Sequence, residues 1–161
     1  DPATPVGVEE HAIELAAHVI SNLYDRLPAA ESRIKSTTRR AHRDLTRDAM
    51  GLLSRHYAHH WTLPTLARAL HTSQYHLCRV FRQHTGQSVH GYLTAVRLRA
   101  ALEPLADGER NLTRLALDLG YSSHSHFTAA FRREFGLPPS RVRHLATSAS
   151  LREISTILTA N

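Results

Sequence analysis

Apolar residues recur every three or four positions along most of this chain, a period that predicts helices rather than strands. The period first runs from Val8 to Leu27, where the helix is expected to end before Pro28, and it returns from Asp44 to His56. It predicts further helices over residues 63–70, 73–84, 88–105, 111–119, 123–135, 138–145 and 150–159. Few segments alternate with a period of two, so we predict an all-α fold.

Between the first two helical patterns, residues 28–43 are polar, basic and rich in Ser and Thr, which is typical of a linker. We therefore expect three parts in the chain. Residues 1–43 hold an amphipathic helix and a basic linker, and residues 44–145 form a helical domain. Residues 146–161 form a C-terminal tail that includes a short helix.

One pattern occurs twice in the helical domain. The first copy reads Leu66-Ala67-x-x-Leu70, then Ser73-x-x-x-Leu77-x-x-x-Phe81-x-x-x-x-Gly86. The second copy reads Leu115-Ala116-x-x-Leu119, then Ser123-x-x-x-Phe127-x-x-x-Phe131-x-x-x-x-Gly136. The offset between the copies is 49 residues before the turn and 50 after it, so the second turn is one residue longer. Each copy predicts a helix-turn-helix, whose second helix can enter the major groove of DNA.

Charge is distributed unevenly along the chain. Residues 1–32 carry one basic and six acidic side chains, whereas residues 33–43 carry five basic side chains and no acidic one. Residues 44–145, which contain the repeated pattern, carry thirteen basic and seven acidic side chains. Because a basic domain attracts phosphate backbones, we expect double-stranded DNA to be the partner of this domain.

The second helix of each copy is expected to pack one face on the first helix and to turn the opposite face toward DNA. In the first copy the packing face holds Leu77, Val80, Phe81 and His84, and the DNA face holds Gln74, Tyr75, Cys78, Arg79 and Arg82. In the second copy the packing face holds Phe127, Ala130, Phe131 and Phe135, and the DNA face holds Ser123, His124, Ser125, Thr128 and Arg132. Arg79 is the leading candidate for a base contact, because arginine can bind guanine through two hydrogen bonds. A linking helix of about 18 residues is roughly 27 Å long, which would allow the two DNA faces to meet successive major grooves.

The segment from Leu63 to Arg143 resembles the DNA-binding domain of AraC/XylS-type transcription regulators. The resemblance is strongest in the turn Gly120-Tyr121, the helix start Ser123-His124-Ser125-His126-Phe127 and the closing Phe135-Gly136-Leu137-Pro138. It implies a seven-helix domain in which a long linker helix joins two helix-turn-helix subdomains, here preceded by an extra amphipathic helix. It also implies a bacterial, cytoplasmic protein that activates transcription and contacts RNA polymerase.

The resemblance further implies an N-terminal domain that senses a small molecule and dimerises. Residues 1–43 are too few for such a domain, and the chain begins with Asp rather than Met. We therefore expect an upstream part to be missing, with residues 8–27 as the last helix of that part or as a homodimer contact. In the second copy, Ala129 stands where family members often have a long polar or basic side chain. This departure predicts that the second copy mainly contacts phosphates.

Other classes of function find less support in the residues. The 13 histidines include two close groups, His56 with His59 and His60, and His124 with His126, but they lack the cysteine or carboxylate partners typical of zinc sites. The single cysteine, Cys78, excludes an internal disulfide and fits a reducing compartment. We expect no metal, no cofactor, no enzymatic activity and no membrane segment. The alternative is a nonspecific nucleic-acid binder or a dimerisation module that depends on a missing N-terminal domain.

Overall fold

Helices account for all the regular structure in the described residues, which confirms the all-α prediction. The computed structural model describes residues 5–24 and 32–146, with side chains over 11–21 and 38–145. The helices are α1 (Pro5–Tyr24), α2 (Ser32–Arg55), α3 (Leu63–Ala69), α4 (Gln74–Thr85), α5 (Val89–Ala100), α6 (Leu102–Ala106), α7 (Leu112–Asp118), α8 (His124–Phe135) and α9 (Pro139–Ala146). The helix predicted over residues 150–159 lies outside the described residues. None of the described helices combines the length and the apolar character that crossing a bilayer requires.

The chain divides into two compact units, and each contains one helix-turn-helix. Unit 1 comprises residues 1–55 and 61–92 and includes the pair α3–α4. Unit 2 comprises residues 56–60 and 93–161 and includes the pair α7–α8. The duplicated sequence pattern therefore corresponds to two separately packed subdomains.

The predicted linker over residues 28–43 is wrong from Ser32 onward, because α2 begins there rather than at Asp44. Residues 32–43 contain no Gly or Pro and include Arg, Lys and Ala, which all have high helix propensity. This part of α2 lacks an apolar period, which is the signal from which helices were predicted. The side chains of residues 38–41 are exposed, so burial does not explain the helix there. Helix propensity explains it, together with continuity with the C-terminal half of α2, which is partly buried.

The predicted linking helix over residues 88–105 is interrupted. It ends at Ala100, and α6 begins at Leu102. Pro104 explains the break, because its nitrogen has no hydrogen to donate to the carbonyl four residues earlier and its ring clashes with that carbonyl. Where the resemblance implies one long linker helix, the structure has a 12-residue helix followed by a 5-residue one.

The core of unit 1 forms where α4 packs its apolar stripe against α3 and α2. Leu63, Leu77, Val80 and Phe81 have no exposed surface. The ring of Phe81 meets that of Tyr92 edge to face, with 5.6 Å between centroids. The Tyr92 hydroxyl forms a 2.9 Å hydrogen bond with that of Ser54, on α2.

Side-chain caps set the first residue of each helix in both helix-turn-helix pairs. Thr62 and Thr65 form a capping box at the start of α3, and the Asn111 side chain caps α7. Ser73 accepts a hydrogen bond from the His76 backbone nitrogen at 3.1 Å, and Ser123 accepts the equivalent bond from His126 at 3.1 Å. Because these caps satisfy donors that a helix leaves unpaired, they fix which residues each face of α4 and α8 presents.

In unit 2 the apolar residues of α7 and α8 form a core with α5, α6 and α9. Its buried members are Leu98, Ala101, Leu105, Leu115, Ala116, Leu119, Tyr121, Phe127, Ala130, Phe131 and Val142, while Phe135 is partly buried. The burial of Phe127, Ala130 and Phe131 agrees with the predicted packing face. Burial raises the pKa of Tyr121 to about 12, so its hydroxyl is protonated at neutral pH.

Arg97 joins the segment 56–60 to the turn of the second helix-turn-helix. Its Nε donates to the Tyr57 carbonyl at 2.8 Å, and a terminal nitrogen donates to the His59 carbonyl at 3.0 Å. The guanidinium also lies over the ring of Tyr121, 5.7 Å from the centroid. Gly120 allows this close approach, because a Cβ at that position would lie 2.7 Å from both the Ala58 carbonyl oxygen and the Arg97 guanidinium.

Substituting alanine at Gly120 tests this contact, and Gly108 provides a matched control. The two glycines have φ values of +83° and +86°, but a Cβ at Gly108 would meet no atom within 4 Å. We expect each alanine to lower the free energy of unfolding by roughly 1–2 kcal/mol through left-handed strain. Gly120→Ala should cost about 1–3 kcal/mol more, because the new methyl group overlaps backbone. Urea unfolding of both variants measures the difference, and equal losses would contradict the close packing.

Candidate nucleic-acid interface

The residues around α4 divide its surface into three sectors. One sector, with Leu77 and Phe81, is buried in the core of unit 1. A second sector, with His76 and His84, faces His42 of α2. The third sector carries the residues predicted to contact DNA, and α1 packs along it.

His84 was predicted to pack on α3, the first helix of the pair. This prediction is wrong, because the side chain of His84 is exposed and lies beside α2.

The predicted DNA contacts of the first helix-turn-helix differ in their accessibility. Gln74, Tyr75 and Arg79 are partly exposed, and Arg82 is exposed. Cys78 is only 2% exposed, so its thiol is not presented to solvent in this structure. The structure thus brings all five residues onto α4 but covers Cys78. Their contact with DNA stays a prediction.

A groove of about 630 Å³ runs between α1 and α4, and we call it the α1–α4 groove. It is lined by His11, Glu14, Leu15, Ala17, His18 and Ser21 of α1 and by Cys78, Arg79, Arg82 and Gln83 of α4. An ion pair crosses the groove between the Glu14 Oε2 and the Arg82 guanidinium. The other carboxylate oxygen of Glu14, Oε1, is buried and has no hydrogen-bond partner among the described residues.

The position of Glu14 was missed from the sequence. The available signal was charge, because residues 1–32 are acidic and the outer face of α4 carries two arginines. The apolar period of residues 8–27 pointed instead to Ile13, Leu23 and similar residues as the packing face. In the structure Ala17 of that period is buried, but Ile20 is 41% exposed, and polar side chains of α1, Glu14 and His18 among them, line the groove against α4.

Three histidines and Arg79 form a cluster where α2 meets α4. The His42 ring lies 5.2 Å from that of His76 and 5.9 Å from that of His84, measured between centroids. Burial lowers the pKa of His42, and the positive charges of His76, Arg79 and His84 lower it further. Burial also lowers the pKa of His76, with a second contribution from Arg79. The neutral imidazole is therefore favoured at both positions.

The outer face of α8 is more open than that of α4. Ser125, Ala129 and Arg132 are exposed. His124 and Thr128 are half-buried, and the Thr128 hydroxyl lies 3.3 Å from the His124 Nε2. Ser123 is exposed but its hydroxyl is occupied as the cap of α8. The five predicted residues of the second helix-turn-helix thus extend from the cap of α8 to its last turn, and their role in DNA contact stays a prediction.

Comparison with known proteins identifies a matching family and several relatives. A family described as "Helix-turn-helix domain" matches residues 66–144. The regulatory protein SoxS of Escherichia coli K12 is 32% identical over 104 residues, which cover 65% of this chain and 97% of SoxS. A putative AraC-like transcription regulator of Streptomyces antibioticus is 30% identical over 143 residues, 88% of this chain. The chain spans only 46% of the length of that regulator.

Solved structures show the same fold. The C-terminal domain of AraT, a response regulator from Geobacillus stearothermophilus, superposes with a TM-score of 0.60 at 28% identity, over 63% of this chain and 84% of that domain. The DNA-binding domain of AdpA, a global transcriptional factor solved in complex with a target DNA, gives a TM-score of 0.60 at 22% identity, over 64% of this chain and 93% of that one. The second likeness shows the fold alone.

The histidine cluster predicts that acid destabilises unit 1. The folded-state pKa values of His42 and His76 lie below the usual 6.5, so the unfolded chain binds protons first as the pH falls. The free energy of unfolding should therefore decrease as the pH falls through 6.5 toward the folded-state values, and it should be insensitive to these groups above that range. Thermal melting between about pH 7.5 and 5.5, with NMR titration of the imidazoles, measures both effects.

His42→Gln should weaken this pH dependence, because it removes the central ring of the cluster. His60→Gln serves as the matched control, since His60 is exposed and lies outside the cluster. An equal pH dependence in both variants would show that other histidines dominate the acid response.

Proposed function

Because the chain belongs to the AraC/XylS family of helix-turn-helix transcription regulators, we propose that it binds specific sites on double-stranded DNA and activates transcription from nearby promoters. The observation that carries the proposal is the pair of capped helix-turn-helix subdomains, one in each compact unit. The excess of basic over acidic side chains in residues 44–145 supports a phosphate-bearing partner.

In this proposal α4 and α8 each enter a major groove, and successive grooves on one side of the duplex receive them. Arg79 and Arg82 are the arginines of this face of α4, and we assign to them the contacts with base edges or phosphates, with Tyr75 beside them. On α8, Ser125 and Arg132 supply the accessible polar groups, and Ala129 offers only a methyl group. We infer that unit 1 supplies most base discrimination, whereas unit 2 mainly holds the phosphate backbone.

The remaining partners follow from the family. We propose that the protein acts in the bacterial cytoplasm, contacts RNA polymerase, and responds to a small molecule through a sensor domain outside residues 1–161. Because α2 crosses Asp44 without interruption, Asp44 does not mark a structural boundary. We propose only that the residues with DNA-binding function begin there. The alternative is a nonspecific nucleic-acid binder whose specificity depends on that sensor domain.

A second role, homodimerisation through α1, is favoured by one observation. Val19 and Ile20 of α1 are exposed and lie outside the lining of the α1–α4 groove. Among the described residues, the other exposed large apolar side chains are Leu15, at the groove, and Leu117. We propose that Val19 and Ile20 form the dimer contact.

Selection of bound sequences from a random duplex pool at near-physiological salt tests the main proposal. We expect an enriched site with two short blocks about one helical turn, roughly 34 Å, apart. A single enriched block would support reading by one unit and phosphate contact by the other. Tight binding without enrichment would instead support the nonspecific alternative.

Arg79→Ala tests the proposed base contact on the selected duplex. We expect a loss of roughly 1–3 kcal/mol in binding free energy and a relaxed preference at one base pair. Fluorescence anisotropy on the selected duplex and on single-base variants measures both. Equal losses on selected and scrambled duplexes would make Arg79 a phosphate contact.

Val19→Asp tests the dimer contact, and Leu117→Asp on α7 is its matched control, since the two side chains are 61% and 56% exposed. Light scattering should show a dimer for the wild-type chain and the control, and a monomer for Val19→Asp, because a carboxylate in an apolar interface is costly to desolvate. A monomeric wild-type chain at high concentration would count against dimerisation through α1.

A further inference from the structure

The face of α4 that would enter the major groove is the face on which α1 lies. Cys78, Arg79, Arg82 and Gln83 all line the α1–α4 groove. Three of these four residues belong to the predicted DNA contacts. A helix that reads bases must bring its outer face to within hydrogen-bond distance of the base edges, so α1 and a duplex cannot occupy this face together.

We propose that α1 is an autoinhibitory helix, which masks α4 and must leave it before the first helix-turn-helix can bind DNA. The proposal deepens the proposed function, on which it rests, because it assigns the regulation of the same face. It accounts for the burial of Cys78, which lies on the outer side of α4 and is covered by an element outside the helix-turn-helix.

The chemistry of the inner side of α1 supports masking over simple core packing. Glu14 places a carboxylate on Arg82, the interaction that a DNA phosphate oxygen would make with the same guanidinium. Ala17 is the buried residue of this side and lines the groove, and we expect a larger side chain there to hold the two helices apart. The inner side of α1 therefore neutralises and covers the face of α4 whose arginines would bind a polyanion.

Two features of the contact between α1 and α4 favour its reversal. Val19 and Ile20 of α1 stay exposed when α1 lies on α4, so docking leaves much of the apolar surface of residues 11–21 uncovered. The Oε1 of Glu14 is buried with no hydrogen-bond partner among the described residues, which weakens the docked state. If α1 is detached from α4 in only a fraction of the molecules, the apparent dissociation constant for DNA equals the intrinsic constant divided by that fraction.

Two neutral substitutions on adjacent residues test the proposal in the full chain. Ala17→Gln places a longer side chain between α1 and α4, whereas Ala16→Gln makes the same change on the exposed side of α1. Neither changes the net charge, so their effect on DNA binding is free of the general attraction to phosphates. We expect Ala17→Gln to tighten binding to the selected duplex by roughly threefold or more, and Ala16→Gln to leave it unchanged.

The single cysteine gives an independent measure of the position of α1. Alkylation of Cys78 by a maleimide should be faster in Ala17→Gln than in the wild-type chain or Ala16→Gln, because the thiol becomes accessible when α1 leaves. Glu14→Gln should act in the same direction, with a roughly two- to fivefold gain in affinity from the lost ion pair. Its control is Glu103→Gln, which makes the same charge change on an exposed residue of α6.

The outcomes separate the two proposals. Faster alkylation of Cys78 in Ala17→Gln without tighter DNA binding would overturn masking, because α1 would have left α4 with no effect. Unchanged alkylation and affinity in both Ala17→Gln and Glu14→Gln would overturn it as well, since neither would have loosened a contact. Equal binding of selected and scrambled duplexes by every variant would instead overturn sequence-specific recognition, and the ratio between Ala17→Gln and Ala16→Gln on either duplex would still decide masking.

Discussion

The burial of one apolar stripe on α4 and one on α8 is the interaction on which the rest of the structure depends. Phe81 in unit 1, and Phe127 and Phe131 in unit 2, have no exposed surface. The partner helices α3 and α7 have seven residues each, too few to be stable as isolated helices. They persist because they pack on these stripes. The same burial determines which residues the opposite faces carry, so the chemistry offered to a partner follows from the core.

The two outer faces differ although the two cores are alike. On α8 the outer face is exposed at Ser125, Ala129 and Arg132, and His124 contacts Thr128 of the same helix. On α4 an acidic residue of α1 pairs with Arg82, and the cluster around His42 borders the remaining edge. The two helix-turn-helix pairs therefore present different surfaces. The outer face of α8 is exposed, whereas Arg82 on the outer face of α4 is paired with a residue of α1.

The sequence predicted the helix-turn-helix pairs because their signals are local. Apolar residues at helical spacing, with Ser73 and Ser123 as caps, determine the start and the buried face of α4 and α8. The helix over residues 32–43 was missed because it has no apolar period, and the break after Ala100 was missed although Pro104 marks it. The docking of α1 depends on contacts between residues far apart in sequence, such as Glu14 and Arg82, which are 68 positions apart and which no local pattern connects.

The division of the chain into units has a consequence for how the protein can be dissected. Residues 56–60 belong to unit 2, yet they lie in the chain between two parts of unit 1. Their carbonyls at Tyr57 and His59 are the acceptors for Arg97. A fragment that starts at Leu93 would leave this guanidinium without those acceptors. A fragment that ends at Tyr92 would carry residues 56–60 without Arg97, the residue that binds their carbonyls. The two units are interleaved in sequence, so no single cut of the chain gives two fragments that each keep all of their own residues.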